Sequence, residues 1–165
     1  MKTMLARLVA VVLACALACI AAGCAGQGLL PVSPDVIRLE TTMNTDDDVY
    51  VLEMDVYAGD EDFWGSGTAD AAQRAPLSRG EVVVNEIERS KMPQGLDSDD
   101  LSVAFYVRDD FAHVGDVEVL RTHDGAYEVS PRVDIPSAWG ESVAIEITGD
   151  RASGYVARLM TEATE

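Results

Sequence analysis

Cysteine runs out early in this chain. The three it has are Cys15, Cys19 and Cys24, and none lies beyond them. A disulfide within residues 25–165 is therefore excluded, and so are cysteine–zinc sites and thiol catalysis there. Lysine is nearly as scarce: Lys2 and Lys91 are the only two. With 12 basic against 29 acidic residues the formal charge is −17. Such a surface repels phosphate, so a nucleic-acid partner is excluded. An anionic membrane surface is disfavoured for the same reason, whereas metal ions, basic peptides and basic proteins are favoured. Histidine is limited to His113 and His123. No GxSxG, GxGxxG, Walker or HExxH pattern is present, so nucleophilic, dinucleotide, nucleotide and zinc-hydrolase chemistry lack their usual carriers. Carboxylates are so abundant that any glycosidase-like pair carries no information. The chain is expected to be non-catalytic.

Long apolar runs are also rare, and the exception is at the start. Lys2 and Arg7 precede Leu8–Ala22, which has neither charge nor proline and ends in Ala21-Ala22-Gly23-Cys24. At fifteen residues this run is shorter than the roughly 20 that a membrane-spanning helix prefers. A basic start, an apolar centre and small residues before a cut form the tripartite plan of an export signal. The segment resembles the lipobox of bacterial prolipoproteins. That resemblance implies a signal helix over 1–23 that is removed, an acyl lipid such as palmitate on Cys24, and an extracytoplasmic position anchored to the cell membrane. Removing 1–23 takes away two basic residues and no acid, leaving 10 − 29 = −19. Residues 24–34 then form the lipidated cysteine and a Gly- and Pro-containing tether.

From Asp35 onward the dominant period is two, which predicts a single β domain over 35–165. Ile37, Leu39 and Thr41 alternate with polar neighbours, as do Leu52, Met54 and Val56, then Val103, Phe105 and Val107, then Val143, Ile145 and Ile147. Further strands are expected at 81–89, with a bulge near Asn85, and at 116–122, 126–135 and 155–161. Pro131 suggests an edge position. His123-Asp124-Gly125 reads as a tight turn with His123 in solvent and Gly125 at positive φ. Helical period is confined to Thr68–Ala75. About eight short strands and almost no helix predict an all-β, antiparallel, immunoglobulin-like sandwich, with a small lipocalin-like barrel as the alternative.

Candidate sites fall in the loops. Asp46, Asp48, Asp97 and Asp99 are calcium candidates, because calcium takes six to eight oxygen ligands that such loops can supply. Residues 60–71 partly match a calcium-binding loop through Asp60, Asp62 and Gly65. Trp64 and Ala71, however, occupy two ligand positions. Alternation of loop ends in an antiparallel fold places 43–48 with 90–100, and 58–80 with 109–115 and 136–141. The second group gathers Trp64, Asp60, Asp62, Asp109, Asp110, Phe111 and Trp139 into a candidate binding surface for a cationic or carbohydrate ligand. Alternatively, Trp64 and Trp139 fold inward over the open end of the core. The sequence thus predicts a lipid-anchored binding or structural module. A calcium-stabilised surface domain and an inhibitor or sensor of a basic envelope protein are the alternatives.

Overall fold

A computed structural model describes residues 31–69, 75–93, 100–111, 122–136 and 139–160. The export signal, Cys24 and the tether up to residue 30 lie outside them, as do residues 116–121 of the strand expected over 116–122 and residues 70–74 of the helical turns expected over 68–75; Thr68 and Ala69 of that segment belong to a strand instead. Val32–Glu165 forms one compact unit. Its strands are β1 (Val36–Thr45), β2 (Val51–Ala58), β3 (Glu61–Ala69), β4 (Glu81–Glu88), β5 (Leu101–Arg108), β6 (Tyr127–Asp134), β7 (Ser142–Asp150) and β8 (Gly154–Leu159). The only helical element among the described residues longer than a single position is a 3-10 turn at Arg89–Lys91.

All eight strands belong to one mixed sheet in the order β3-β2-β5-β6-β8-β7-β1-β4. Five neighbour pairs are antiparallel, while β1–β7 and β6–β8 run parallel. The sheet rolls up until its two outermost strands meet: Ser66 Oγ on β3 hydrogen-bonds Asn85 Oδ1 on β4 at 3.0 Å. The result is a sheet nearly closed into a barrel.

Period-two patterning sets which face turns inward. Ile37, Leu39 and Met43 of β1, Leu52, Met54 and Val56 of β2, Val103 and Phe105 of β5, and Ile145 and Ile147 of β7 are buried in one continuous core. Each fully buried side chain of this size contributes roughly 1.5–3 kcal/mol. A one-residue slip of any of these strands would turn the whole row outward.

Three local differences from the sequence-based expectation have physical reasons. Strand β3 lies where the sequence predicts a loop, because EDFWGSGTA contains two glycines and two acids and lacks a β-branched run. Pairing with β2 along its whole length makes it a strand. The irregularity expected near Asn85 is absent from the regular β1–β4 ladder. It occurs instead between β2 and β3 at Val56/Tyr57 and between β5 and β6 at Val103/Phe105. Pro131 falls within that second irregularity, opposite no ladder partner, which is where a residue without an N–H is tolerated.

The extra strand β3 also moves residues 89–93 and 109–111 to the ends opposite those expected, while the segment before β7 stays at the end of the 59–60 turn. The start of β1, the 59–60 turn, residues 89–93, residues 135–136 and residues 139–141 share one end of the sheet, here the entry end. Residues 46–50, 75–80, 109–111 and 151–153 occupy the far end.

Candidate functional site

On the outer face of β2, the residues between the core positions are Glu53, Asp55 and Tyr57. The ladder sets Glu53 opposite Tyr106 of β5, Asp55 opposite Ala104, and Val51 opposite Arg108. On the other side, Gly65 of β3 stands opposite Asp55. Its missing side chain matters, because a Cβ there would meet Asp55 Oδ1 at 2.7 Å. Asp55 is thus flanked by Ala104 and Gly65, which leaves room above it.

That room is filled by the turn before β6. His123 adopts φ +54°, in the left-handed region, and Gly125 φ +78°. The expected tight turn therefore forms, closed by Ala126 N–H donating to His123 O at 2.9 Å. The histidine itself is not in solvent. Its ring stacks on Tyr106 with centroids 3.7 Å apart and planes 9° from parallel. Nδ1 lies 2.7 Å from Glu53 Oε2, and Nε2 lies 2.5 Å from Asp55 Oδ2. Relative side-chain exposure is 14% for His123, 15% for Asp55 and 2% for Glu53.

Arg108 completes the group. Its guanidinium forks onto Glu53, with Nε bonded to Oε1 and Nη2 3.4 Å from Oε2, while Nη1 donates to the Asp124 carbonyl at 2.6 Å. One arginine therefore holds both the buried carboxylate and the backbone of the turn. Bidentate charge-assisted bonds of this kind are the strong ones. Burial is the largest influence on Asp55 and pushes its carboxyl up from the ordinary value, more than His123 lowers it; Asp62 and Glu53 push the same way as burial. The Tyr106 hydroxyl is pushed up to about 12, first by burial and then by Tyr57, Asp55 and Glu128. Arg132 lies 3.9 Å over the Tyr57 ring and closes the row on its far side.

This arrangement can hold two carboxylates and two cationic side chains in register and pin a turn to a sheet. Both ring nitrogens of His123 face carboxylate oxygens of the same chain, so neither is directed at a serine or threonine hydroxyl.

The residues singled out from sequence are divided by the fold. Trp64 lies on β3 and packs partly buried against the core, with Lys91 Nζ 5.4 Å from its ring centroid. Trp139 does likewise near the entry end, under Arg89 at 4.6 Å. Asp60 is in the entry-end turn and Asp62 on the exposed edge strand. Asp109, Asp110 and Phe111 belong to the far end. There Asp109 pairs with Arg151 at 2.7 Å and Phe111 meets Tyr50 edge-on at 5.3 Å. Trp64, Asp60, Asp62 and Trp139 therefore share one region, and 109–111 do not join them. Asp46, at the far end, pairs with Arg79 at 2.7 Å, and Asp47 accepts from Arg151 N and Tyr155 Oη. Asp48 comes next in the same loop, while Asp97, Asp99 and His113 lie outside the described residues. The 60–71 segment is mostly strand rather than loop, so Asp60 and Asp62 do not sit in a calcium-loop backbone.

Glu53, Asp55, Tyr106 and Arg108 are legible in the sequence only as alternate polar positions on strands. What brings them together is the pairing of β2 with β5, which a single sequence does not reveal.

No protein-family model matches the chain, and no curated protein matches it with significant similarity. Among solved structures it shows a distant likeness to "Structure of pneumolysin at 1.98 A resolution", 12% identical over 77% of this chain and 23% of that one, with a TM-score of 0.30. "Trapped Toxin" is 11% identical over 76% of this chain and 23% of that one, and the TM-score is again 0.30. "Structure of the membrane-binding domain of pneumolysin" is 13% identical over 77% of this chain and 96% of that one, at the same TM-score of 0.30. The chain thus spans about a quarter of the length of the first two. A TM-score at this level does not amount to a shared fold, and no property is carried over from these proteins.

Proposed function

We propose that this protein is a lipid-anchored extracytoplasmic lipoprotein whose β domain is a non-catalytic binding or structural module. The anchoring half rests on Ala21-Ala22-Gly23-Cys24 behind the apolar run. The non-catalytic half rests on one observation: His123 has both ring nitrogens committed to Glu53 and Asp55. A general base needs a nitrogen directed at the proton it removes, and this one has none to offer. Of the two architectures expected from sequence, the contact between Ser66 and Asn85 supports the barrel. A formal charge of −17 supports a cationic partner, and inhibition or sensing of a basic envelope protein is the form this would take.

Two measurements test the reading. In a bacterial host, radiolabelled palmitate should be incorporated into the full chain, and Cys24→Ser should abolish labelling and release the protein from the membrane fraction. Labelling that survives Cys24→Ser overturns the anchor. Hydrolysis of an envelope polymer by the purified chain, lost in His123→Gln, overturns the non-catalytic assignment.

A further inference from the structure

The contacts of His123 have a consequence for hydrogen bonding. A neutral imidazole offers one donor and one acceptor, whereas an imidazolium offers two donors. Glu53 is held by the Arg108 fork and Asp55 is a second carboxylate, so two acceptors converge on the ring, at 2.7 and 2.5 Å. Only the doubly protonated ring, or one proton shared between Nε2 and Asp55, satisfies both. With that proton gone, Nδ1–H still serves Glu53, but the Nε2 lone pair then points at an anionic oxygen. The balance of charge changes too. Glu53 and Asp55 are matched by Arg108 and a protonated His123; without the proton, one negative charge remains uncompensated on a largely covered face.

We propose that His123 is a proton-operated latch that fastens the turn at 122–126 to the outer face of β2 and β5. The titratable and charged groups around the ring are Glu53, Asp55 and Tyr57 from β2, Tyr106 and Arg108 from β5, Asp62 from β3 and Glu128 from β6. The turn also has a reason to leave when released. His123 is held at φ +54°, an unfavourable region for a side chain with a Cβ, and its contacts keep it there. Arg108 bonds to the Asp124 carbonyl at 2.6 Å whatever the state of the ring, so it limits release to a loosening of the turn rather than loss of the β5–β6 connection.

The reporter is the Ala126 amide, bonded to His123 O within the turn at 2.9 Å. Hydrogen–deuterium exchange on the full chain in detergent, divided by the intrinsic rate at each pH, should show a fragment covering 122–127 at least tenfold less protected at pH 8.5 than at pH 5.5. A β7 fragment should be unchanged. In His123→Gln the turn fragment should be poorly protected at both pH values. Asp55→Asn should behave oppositely: its amide can accept from Nε2–H or donate to Nε2, so the turn should stay protected at both. Wild-type protection that does not vary with pH overturns the latch, and so does an Asp55→Asn chain that keeps the wild-type pH dependence. If His123→Gln fails to fold, shown by loss of protection in β7, the wild-type and Asp55→Asn profiles decide the matter alone.

Discussion

Arg108 has the greatest consequence of any single side chain outside the core. It and Glu53 are each only 2% exposed, and each is the other's main compensation. Removing one partner strands a buried charge, whereas removing both does not. Arg108→Leu is therefore expected to cost about 3–5 kcal/mol in urea denaturation, and adding Glu53→Leu should recover a large part of that loss. A double variant no more stable than the single one would show that the pair is not the source of the effect. Asp55 has the opposite character. Burial raises its pKa above the ordinary 3.8, so the folded chain keeps a proton that the unfolded chain has released. Its contribution to stability is greatest below 3.8 and falls as pH rises through the raised folded value. This is the same direction of change as the latch.

At the scale of elements, turns do what strands cannot. The β7–β8 hairpin reverses with Gly149 at φ +98°, where an added Cβ would lie 2.2 Å from the Gly154 carbonyl oxygen. Neither the backbone conformation nor the space accepts a side chain. Asp150 caps the same hairpin, accepting from the amides of Ala152 and Ser153 at 2.7 Å each, and these bonds hold its carboxyl below the usual range. Gly149→Ala is expected to destabilise the chain by about 2 kcal/mol, measured as a lowered urea midpoint at constant slope. Gly154→Ala keeps a strained φ of +91° but meets nothing within 4 Å, so it should cost less. Equal costs would show that the Gly154 carbonyl is not the obstacle.

For the whole molecule, the question is how an eight-stranded sheet protects its edges. Strands β3 and β4 are the ends of the strand order, and unpaired edges invite association with other chains. Rolling the sheet until Ser66 meets Asn85 turns each edge toward the other. A neutral hydrogen bond contributes only about 1 kcal/mol net, so Asn85→Ala should barely change global stability. It should nonetheless speed amide exchange along β3 and the outer side of β4 selectively. Uniform acceleration over all strands would instead mean that closure is integral to the core. Val82 and Val84 are the exposed large apolar residues on β4, and they keep company with Glu81, Glu86 and Glu88 on the same strand. Charges interspersed in this way blunt an edge strand.

The sequence by itself determined much of the β architecture. Period-two rows identified β1, β2, β5 and β7, since burying an alternate set of Val, Ile, Leu and Phe admits one orientation of each strand. It also determined the turn at His123-Asp124-Gly125, whose glycine accepts positive φ, and the absence of any disulfide beyond Cys24. Strand β3 was hidden because its residues have little β preference of their own and become a strand only through pairing with β2. The same omission moved residues 89–93 and 109–111 to the other ends and separated Asp109, Asp110 and Phe111 from Trp64 and Trp139. The Glu53–Arg108–His123–Asp55 group was hidden for a deeper reason. Local pattern determines which face of a strand a residue occupies, but the choice of neighbouring strand is made by long-range pairing. Only the tertiary structure set Glu53 and Asp55 beneath a histidine 70 and 68 residues further along the chain.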